Sequence, residues 1–145
     1  MSSQYLGLWF LFFPSLGSHF AWSLVRCIQA QKAARGTDNR AYPWGKDWDP
    51  TRLNWGDAKG QTDGHEGPAP VGTYETGKSP FGCYDMAGNV LEWCADLFDP
   101  TRGSSRSVRG GSCIEKMWVR TWTRDFEAPN QLMSRLGFRC VADGK

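Results

Sequence analysis

The sequence lacks two patterns that would each indicate a class of function. Its five cysteines include no Cys-x-x-Cys pair, so neither a zinc ribbon nor a disulfide framework is indicated. It has no run of lysine or arginine and a formal net charge of only +2, which argues against nucleic acid as a partner. An odd number of thiols without a clear secretion signal favours a cytoplasmic location.

Long hydrophobic runs are also missing. The longest, residues 5–13, is too short to cross a bilayer and ends at Pro14, so we predict no transmembrane segment. Secretion stays an alternative because the run could be the core of a signal peptide, although no Lys or Arg precedes it and no clear cleavage site follows. The preferred interpretation is a buried strand, or a segment whose usual packing partner is missing.

Turn-forming and aromatic residues are abundant. The 145 residues fit one domain, and the 17 glycines and 8 prolines leave little room for long helices. Eight tryptophans and eight phenylalanines can supply a core that is built from loops. We therefore predict a loop-rich α+β domain with small antiparallel sheets and little helix.

Local patterns place the elements. A helix is predicted over residues 29–35, ending at Gly36, and a short second helix over 90–95. Between residues 37 and 70 we expect loops pinned by tryptophans. Strands bounded by Gly, Pro or Asn are predicted at 71–74, 108–109, 119–123 and 138–141. Four arginines near these strands, expected to pair with carboxylates or carbonyls, are Arg109, Arg120, Arg124 and Arg139.

Five separated motifs then occur in one order: AARGTDNRAYPWG (33–45), APVGTY (69–74), FGCYDMAGNVLEWCAD (81–96), VRGGS (108–112) and LGFRC (136–140). Together they closely resemble the sulfatase-modifying factor family, which is named for the formylglycine-generating enzyme. The resemblance implies a loop-rich variant of the C-type-lectin-like fold, with calcium as a structural ion.

The resemblance covers the C-terminal portion of the family domain, residues 29–145. Residues 1–28 form an apolar segment that is predicted to be unrelated to the family. Two explanations are open: a truncated or frame-shifted reading frame, which we favour, or a short variant with a replaced N-terminus. A chain that lacks part of its partner surface would be marginally stable alone.

The resemblance implies two calcium loops. In the first, Asn54 and Asp63 would bind through side chains, and Trp55 and His65 through carbonyls. Without the family, this stretch is a surface turn with an incidental histidine.

In the second loop, Asp85 and Glu92 would supply side-chain oxygens, and Gly88 and Val90 carbonyls. The alternative is that Asp85 caps a turn and Glu92 is a solvated helix residue.

Copper is not expected. Formylglycine-generating enzymes bind copper(I) through two thiolates, and by spacing from the GGS motif those positions here are Glu115 and Arg120. Weak catalytic candidates are Ser112, Cys113 and Glu115. Cys113 could have a lowered pKa near basic residues, but a small buried residue is the preferred interpretation.

The leading hypothesis is a calcium-stabilised binding or accessory module of the family, without the usual oxidase chemistry. The alternatives are a family enzyme with different chemistry in the same cleft, and an inactive truncated fragment. A binding module would use the surface around residues 115–125 for a protein, peptide or glycan. The ligand and the oligomeric state are left open.

Overall fold

The computed structural model describes residues 22–57, 60–101 and 103–142. The apolar run at residues 5–13 lies outside them. The elements are β1 (Trp22–Leu24), α1 (Cys27–Arg35), β2 (Leu91–Leu97), β3 (Arg106–Arg109), β4 (Asp125–Glu127), β5 (Leu136–Phe138) and β6 (Cys140–Ala142), with single 3₁₀ turns at Glu75–Gly77 and Lys116–Trp118. The predicted loop-rich α+β class is confirmed. No helix of this described part has the length and apolar character needed to cross a bilayer.

Helix α1 ends where the sequence predicts. Gly36 has a φ of 69°, which suits glycine, and its N–H donates to the Lys32 carbonyl at 2.9 Å. The buried face is formed mainly by alanines, and Ala33 and Ala34 pack in one cluster with Met86. Small side chains on this face let the helix lie close to the segment that precedes β2.

The strands form a four-stranded sheet in the order β4-β3-β2-β5 and a two-stranded sheet of β1 with β6. Pairing is antiparallel except between β2 and β5, where Leu91 lies opposite Leu136 in parallel register. The prediction of antiparallel sheets is therefore wrong for this one pair. The N–H of Ala95 donates to the Val25 carbonyl at 3.0 Å and so joins β2 to the chain between β1 and α1.

The predicted helix at 90–95 is wrong, because this segment is strand β2. Leu91 and Cys94 are both buried, and this spacing of three is also that of a helix face. The register between β2 and β3 shifts between Trp93 and Leu97. An irregularity of this kind breaks the strict alternation of a strand, and hydrogen bonding from β3 and β5 on both sides overrides the local pattern.

Three further predictions need correction. Residues 71–74 form a turn, in which the Thr73 N–H donates to the Pro70 carbonyl. Val71 is exposed and pairs with none of the strands in the described part of the chain. Residues 119–123 also form turns, although Val119 is buried. The strand at 138–141 is two strands separated by Arg139. The strand at 108–109 is confirmed as part of β3.

Aromatic rings hold the loops of residues 37–70, as predicted. Tyr42 stacks on Trp44 with centroids 5.2 Å apart, and Trp48 contacts Tyr42 and Trp55 edge-on at 5.6 and 5.5 Å. Tyr42, Trp55 and Leu53 belong to the largest buried cluster described. Ring packing here replaces a regular hydrogen-bond ladder.

Gly88→Ala should destabilise the fold far more than Gly82→Ala. Both glycines have nearly the same positive φ, 75° and 76°, so both variants carry a strain of about 1–2 kcal/mol. A Cβ at Gly88 would lie 2.2 Å from the Asn54 carbonyl oxygen, whereas a Cβ at Gly82 meets nothing within 4 Å. We expect a loss of roughly 3 kcal/mol or more for Gly88→Ala in denaturant unfolding. Equal losses would contradict the close approach.

Candidate functional site

The first predicted calcium loop lies around Asn54. The Asn54 side chain is buried, and its Nδ2 donates to the Gly67 carbonyl at 2.8 Å and to the Asn89 Oδ1 at 3.2 Å. Its Oδ1 is buried and accepts no hydrogen bond from any group that the structure describes. A buried oxygen without a donor is costly unless something else binds it.

Hydrogen bonds connect the other predicted members of this loop to one another. The Asp63 N–H donates to the Trp55 carbonyl at 3.3 Å, and Asp63 Oδ1 accepts the His65 N–H at 3.1 Å. The Tyr74 hydroxyl donates to Asp63 Oδ2. Burial, followed by the nearby Asp63 carboxylate, raises the pKa of Tyr74, so this hydroxyl keeps its proton. The His65 imidazole is on the exposed side of the turn.

The second predicted calcium loop has a different character. Asp85 has a φ of 52° and accepts the Gly72 N–H at 2.9 Å, and burial raises the pKa of its carboxyl group. Glu92 lies on β2 and binds Arg139 through both carboxylate oxygens, with Arg139 Nε 2.8 Å from Oε2. Arg139 is 6% exposed and also donates to the Tyr84 carbonyl. Glu92 is therefore an ion-paired strand residue, not a solvated helix residue.

The two loops differ in how well they fit a calcium ion. Among the residues that the structure describes, no three His, Cys, Asp or Glu side chains converge. A calcium site would then depend on amide and carbonyl oxygens, which hard cations accept. The unpaired Asn54 Oδ1 meets that need. In the second loop Glu92 is already neutralised by Arg139, which leaves Asp85 with the carbonyls of Gly88 and Val90.

A cleft of about 350 Å³ opens beside the aromatic loops. It is lined by Tyr42, Trp48, Lys116, Met117 and Arg120. Lys116 Nζ is 2.7 Å from Asp57 Oδ2 and lies over the Trp55 ring. Arg120 is exposed and lies over Trp122, and in the described part of the chain no carboxylate pairs with it. The cleft thus combines apolar walls with a cation that is free to bind an anion.

The weak catalytic candidates lie at the edge of this region. Ser112 is fully buried, and its hydroxyl donates to Glu115 Oε2 at 3.4 Å. Glu115 Oε1 is 3.8 Å from the Arg135 guanidinium. Burial raises the pKa of the Cys113 thiol. Cys113 is therefore the small buried residue that the sequence analysis preferred, and not a thiolate.

The prediction for the arginines holds for three of the four. Arg139 pairs with a carboxylate, Arg109 donates to the carbonyls of Thr121 and Thr123, and Arg124 donates to that of Phe98. Arg120 contacts a ring instead.

Sequence reasoning missed Asn89 and the aromatic wall of the cleft, whereas Lys116 and Arg120 lie within the surface predicted at residues 115–125. Asn89 follows Gly88 and has a φ of 66°, a conformation that asparagine adopts more readily than most residues. The Gly-Asn pair was therefore a usable signal. Nothing local marks Tyr42 and Trp48 as neighbours of residues 116–120.

Comparison with known proteins gives a consistent result. The family described as "Sulfatase-modifying factor enzyme 1-like domain" matches residues 3–144. The chain is 32% identical over 141 residues to inactive C-alpha-formylglycine-generating enzyme 2 of Mus musculus, covering 87% of this chain and 46% of that protein. It is 33% identical over 144 residues to the formylglycine-generating enzyme of Thermomonospora curvata, covering 78% and 46%.

A solved structure, Treponema denticola variable protein 1, shares the fold with a TM-score of 0.73 at 24% identity, covering 85% of this chain and 48% of that one. The two curated relatives are each matched over 46% of their length, so the chain spans about half the length of the curated relatives it matches.

Arg139→Met should be strongly destabilising. It leaves the Glu92 carboxylate buried without a partner, and we expect a loss of about 3–5 kcal/mol in denaturant unfolding. Lys78→Met is the control, because the Lys78–Glu75 pair lies at the surface, where solvent screens it, and its loss should change the unfolding free energy far less. The double variant Arg139→Met/Glu92→Leu should regain most of the loss. A double variant no better than Arg139→Met would show that the charge pair is not the cause.

Proposed function

Because the chain belongs to the sulfatase-modifying factor family, we propose that it acts as a non-catalytic, calcium-stabilised binding module of that family. The observation that carries the proposal is that Arg120 lines the cleft. By the family resemblance, its position corresponds to one of the two cysteines that bind copper in formylglycine-generating enzymes. Neither a guanidinium nor the Glu115 carboxylate can replace a soft thiolate ligand of copper(I). The relative that is named inactive supports the same interpretation.

The chemistry of the cleft favours an acidic peptide as ligand. Arg120 can bind a carboxylate in a planar, two-point arrangement, while Tyr42 and Trp48 offer rings for an apolar side chain. Lys116 is already paired with Asp57, so Arg120 is the cation that the ligand would meet. A neutral glycan would use the rings but has no need of the guanidinium.

The alternative of a family enzyme with different chemistry has weaker support. It depends on Ser112, Cys113 and Glu115, and the first two are buried. Ser112 also contacts an acid and not a histidine base. The alternative of a truncated fragment is addressed by the melting experiment below.

Calcium would act by holding loops together. In the first loop the oxygens of Asn54 and Asp63 and the carbonyls of Trp55 and His65 would hold it, and the unpaired Asn54 Oδ1 supports this. In the second loop, Asp85, Gly88, Val90 and Glu92 are the proposed ligands, with Glu92 shared with Arg139. The ion would supply charge compensation and cross-linking, and no step of a reaction.

The proposal predicts that calcium raises the melting temperature relative to chelator. A ligand that binds only the native state stabilises it by mass action, by about 2.7 kcal/mol at a hundredfold excess over the Kd. Asp63→Asn should remove the shift if the first loop binds, and Asp85→Asn if the second does. The absence of a cooperative transition in both buffers would favour the fragment alternative.

The structure also predicts the direction in which Asp85→Asn changes folding stability when a chelator removes calcium. Because burial raises the pKa of Asp85, the folded state holds its proton more tightly than the unfolded state. Its contribution to stability is thus present at acid pH and is lost as the pH rises through the raised pKa. At neutral pH without calcium, Asp85→Asn should therefore be at least as stable as the parent chain in denaturant unfolding.

Peptide binding can be measured with three matched peptides. They share their leucine and phenylalanine positions and carry Asp/Glu, Asn/Gln or Lys between them, and tryptophan fluorescence reports binding. Only the acidic peptide should bind saturably, and Arg120→Gln should weaken it at least about tenfold, or roughly 1.4 kcal/mol.

Two controls accompany this titration. Arg124→Gln removes another exposed arginine that lies on an aromatic ring, outside the cleft lining, and should leave the affinity unchanged. Cys113→Ser should do the same. Equal binding of all three peptides, or binding of neutral glycans only, would overturn the acidic-peptide proposal.

A further inference from the structure

The two walls of the cleft come from distant parts of the chain. Tyr42 and Trp48 belong to the aromatic loops and form the ring wall. Arg120 belongs to the turn of residues 120–123, in which the Thr123 N–H donates to the Arg120 carbonyl at 3.0 Å. Thr121 lies inside this turn and is 4% exposed. What connects this turn to the ring wall therefore sets the distance between the cation and the rings.

Thr121 makes that connection through two hydrogen bonds. Its N–H donates to the Ala41 carbonyl at 2.9 Å, and its Oγ1 donates to the Arg40 carbonyl at 2.8 Å. Ala41 directly precedes Tyr42. Thr121 directly follows Arg120, so each end of the connection is next to a residue that lines the cleft. Two bonds hold the turn in one orientation, because a single bond would leave it free to pivot.

Further hydrogen bonds order each wall on its own side. Arg109 of β3 donates through Nη1 to the carbonyls of Thr121 at 3.4 Å and Thr123 at 3.0 Å. On the ring side, Tyr42 and Gly45 exchange both of their backbone hydrogen bonds, at 2.9 and 3.1 Å. The cation and the rings thus lie on two ordered segments, which Thr121 joins directly.

We propose that Thr121 is a positioning residue that fixes the distance between the Arg120 guanidinium and the aromatic rings, and so selects acidic peptides by the spacing between their carboxylate and their apolar side chain. This inference rests on the proposed binding function and adds the feature by which the cleft distinguishes one acidic ligand from another. A ligand that makes two contacts with an ordered site binds best when its own span matches the site, because any other span loses one contact.

The test titrates the full chain with acidic peptides that differ only in the number of glycines between one glutamate and one phenylalanine. Tryptophan fluorescence gives the Kd of each peptide, and we expect the best spacing to bind at least about tenfold more tightly than the poorest. A parent chain that binds every spacing equally would overturn the inference and leave the acidic-peptide function standing. A parent chain that binds none of the peptides would overturn both.

Thr121→Val removes the hydroxyl and its bond to the Arg40 carbonyl, and it keeps the side-chain shape and the backbone bond to Ala41. We expect the affinity ratio between the best and the poorest spacing to fall by at least about fivefold, the effect of one lost hydrogen bond. A merely structural loss would reduce the folded fraction and weaken all peptides equally, which leaves this ratio unchanged. An unchanged ratio in folded Thr121→Val would therefore contradict the positioning role.

Two control variants complete the test. Thr121→Ser keeps a hydroxyl at this place and should restore the parental spacing preference. Thr123→Val removes the other threonine hydroxyl of the turn, which forms no hydrogen bond with the residues that the structure describes, and should behave as the parent chain does. An equal loss of preference in Thr123→Val would overturn the role of the Thr121 hydroxyl. The spacing series on the parent chain needs no variant, so it can overturn the inference even if Thr121→Val fails to fold.

Discussion

The side-chain amide of Asn89 is the interaction on which the loops of this fold depend. Its Oδ1 accepts the Ala69 N–H at 2.8 Å and the Asn54 Nδ2, and its Nδ2 donates to the Ala69 carbonyl at 3.1 Å. Its backbone binds the Asn54 carbonyl and the Cys113 N–H. One buried residue thus joins three segments that no regular sheet connects. A satisfied buried amide of this kind specifies a single arrangement of the chain, because any other leaves its polar groups unpaired.

An ion pair holds the second predicted calcium loop in place. The buried Arg139 connects the end of β5 to Glu92 on β2 and to the Tyr84 carbonyl. Arg139 already neutralises Glu92, so a calcium ion in the second loop would share that carboxylate, whereas the Asn54 Oδ1 accepts no hydrogen bond from the described residues. The two loops of the family motif are consequently not equivalent in this chain. The same contrast separates Lys116, paired with Asp57, from Arg120, which faces the cleft.

The thiols show how far environment outweighs residue type. Cys113 follows the GGS motif and drew attention in the sequence, yet burial raises its pKa and outweighs the nearby Arg135 charge, so the thiol stays protonated. Cys27 belongs to no motif that suggests reactivity, but the neighbouring Cys94 side chain lowers its pKa. The spacing of cysteines along a chain therefore says little about which of them can form a thiolate.

Motifs and residue types alone establish the family, the loop-rich class, the end of α1 at Gly36 and the loops that aromatic rings hold. Each of these depends on short motifs or on residue types whose conformational preference acts locally. Only contacts in the folded chain make residues 91–97 a strand, bring β5 beside it in parallel and pair Arg139 with Glu92. These outcomes depend on partners elsewhere in the chain, from 9 to 17 residues away in β3 to 45 residues away in β5. Local patterns do not contain these partners, and the spacing of Leu91 and Cys94 suits a helix until hydrogen bonds from both neighbouring strands act on it.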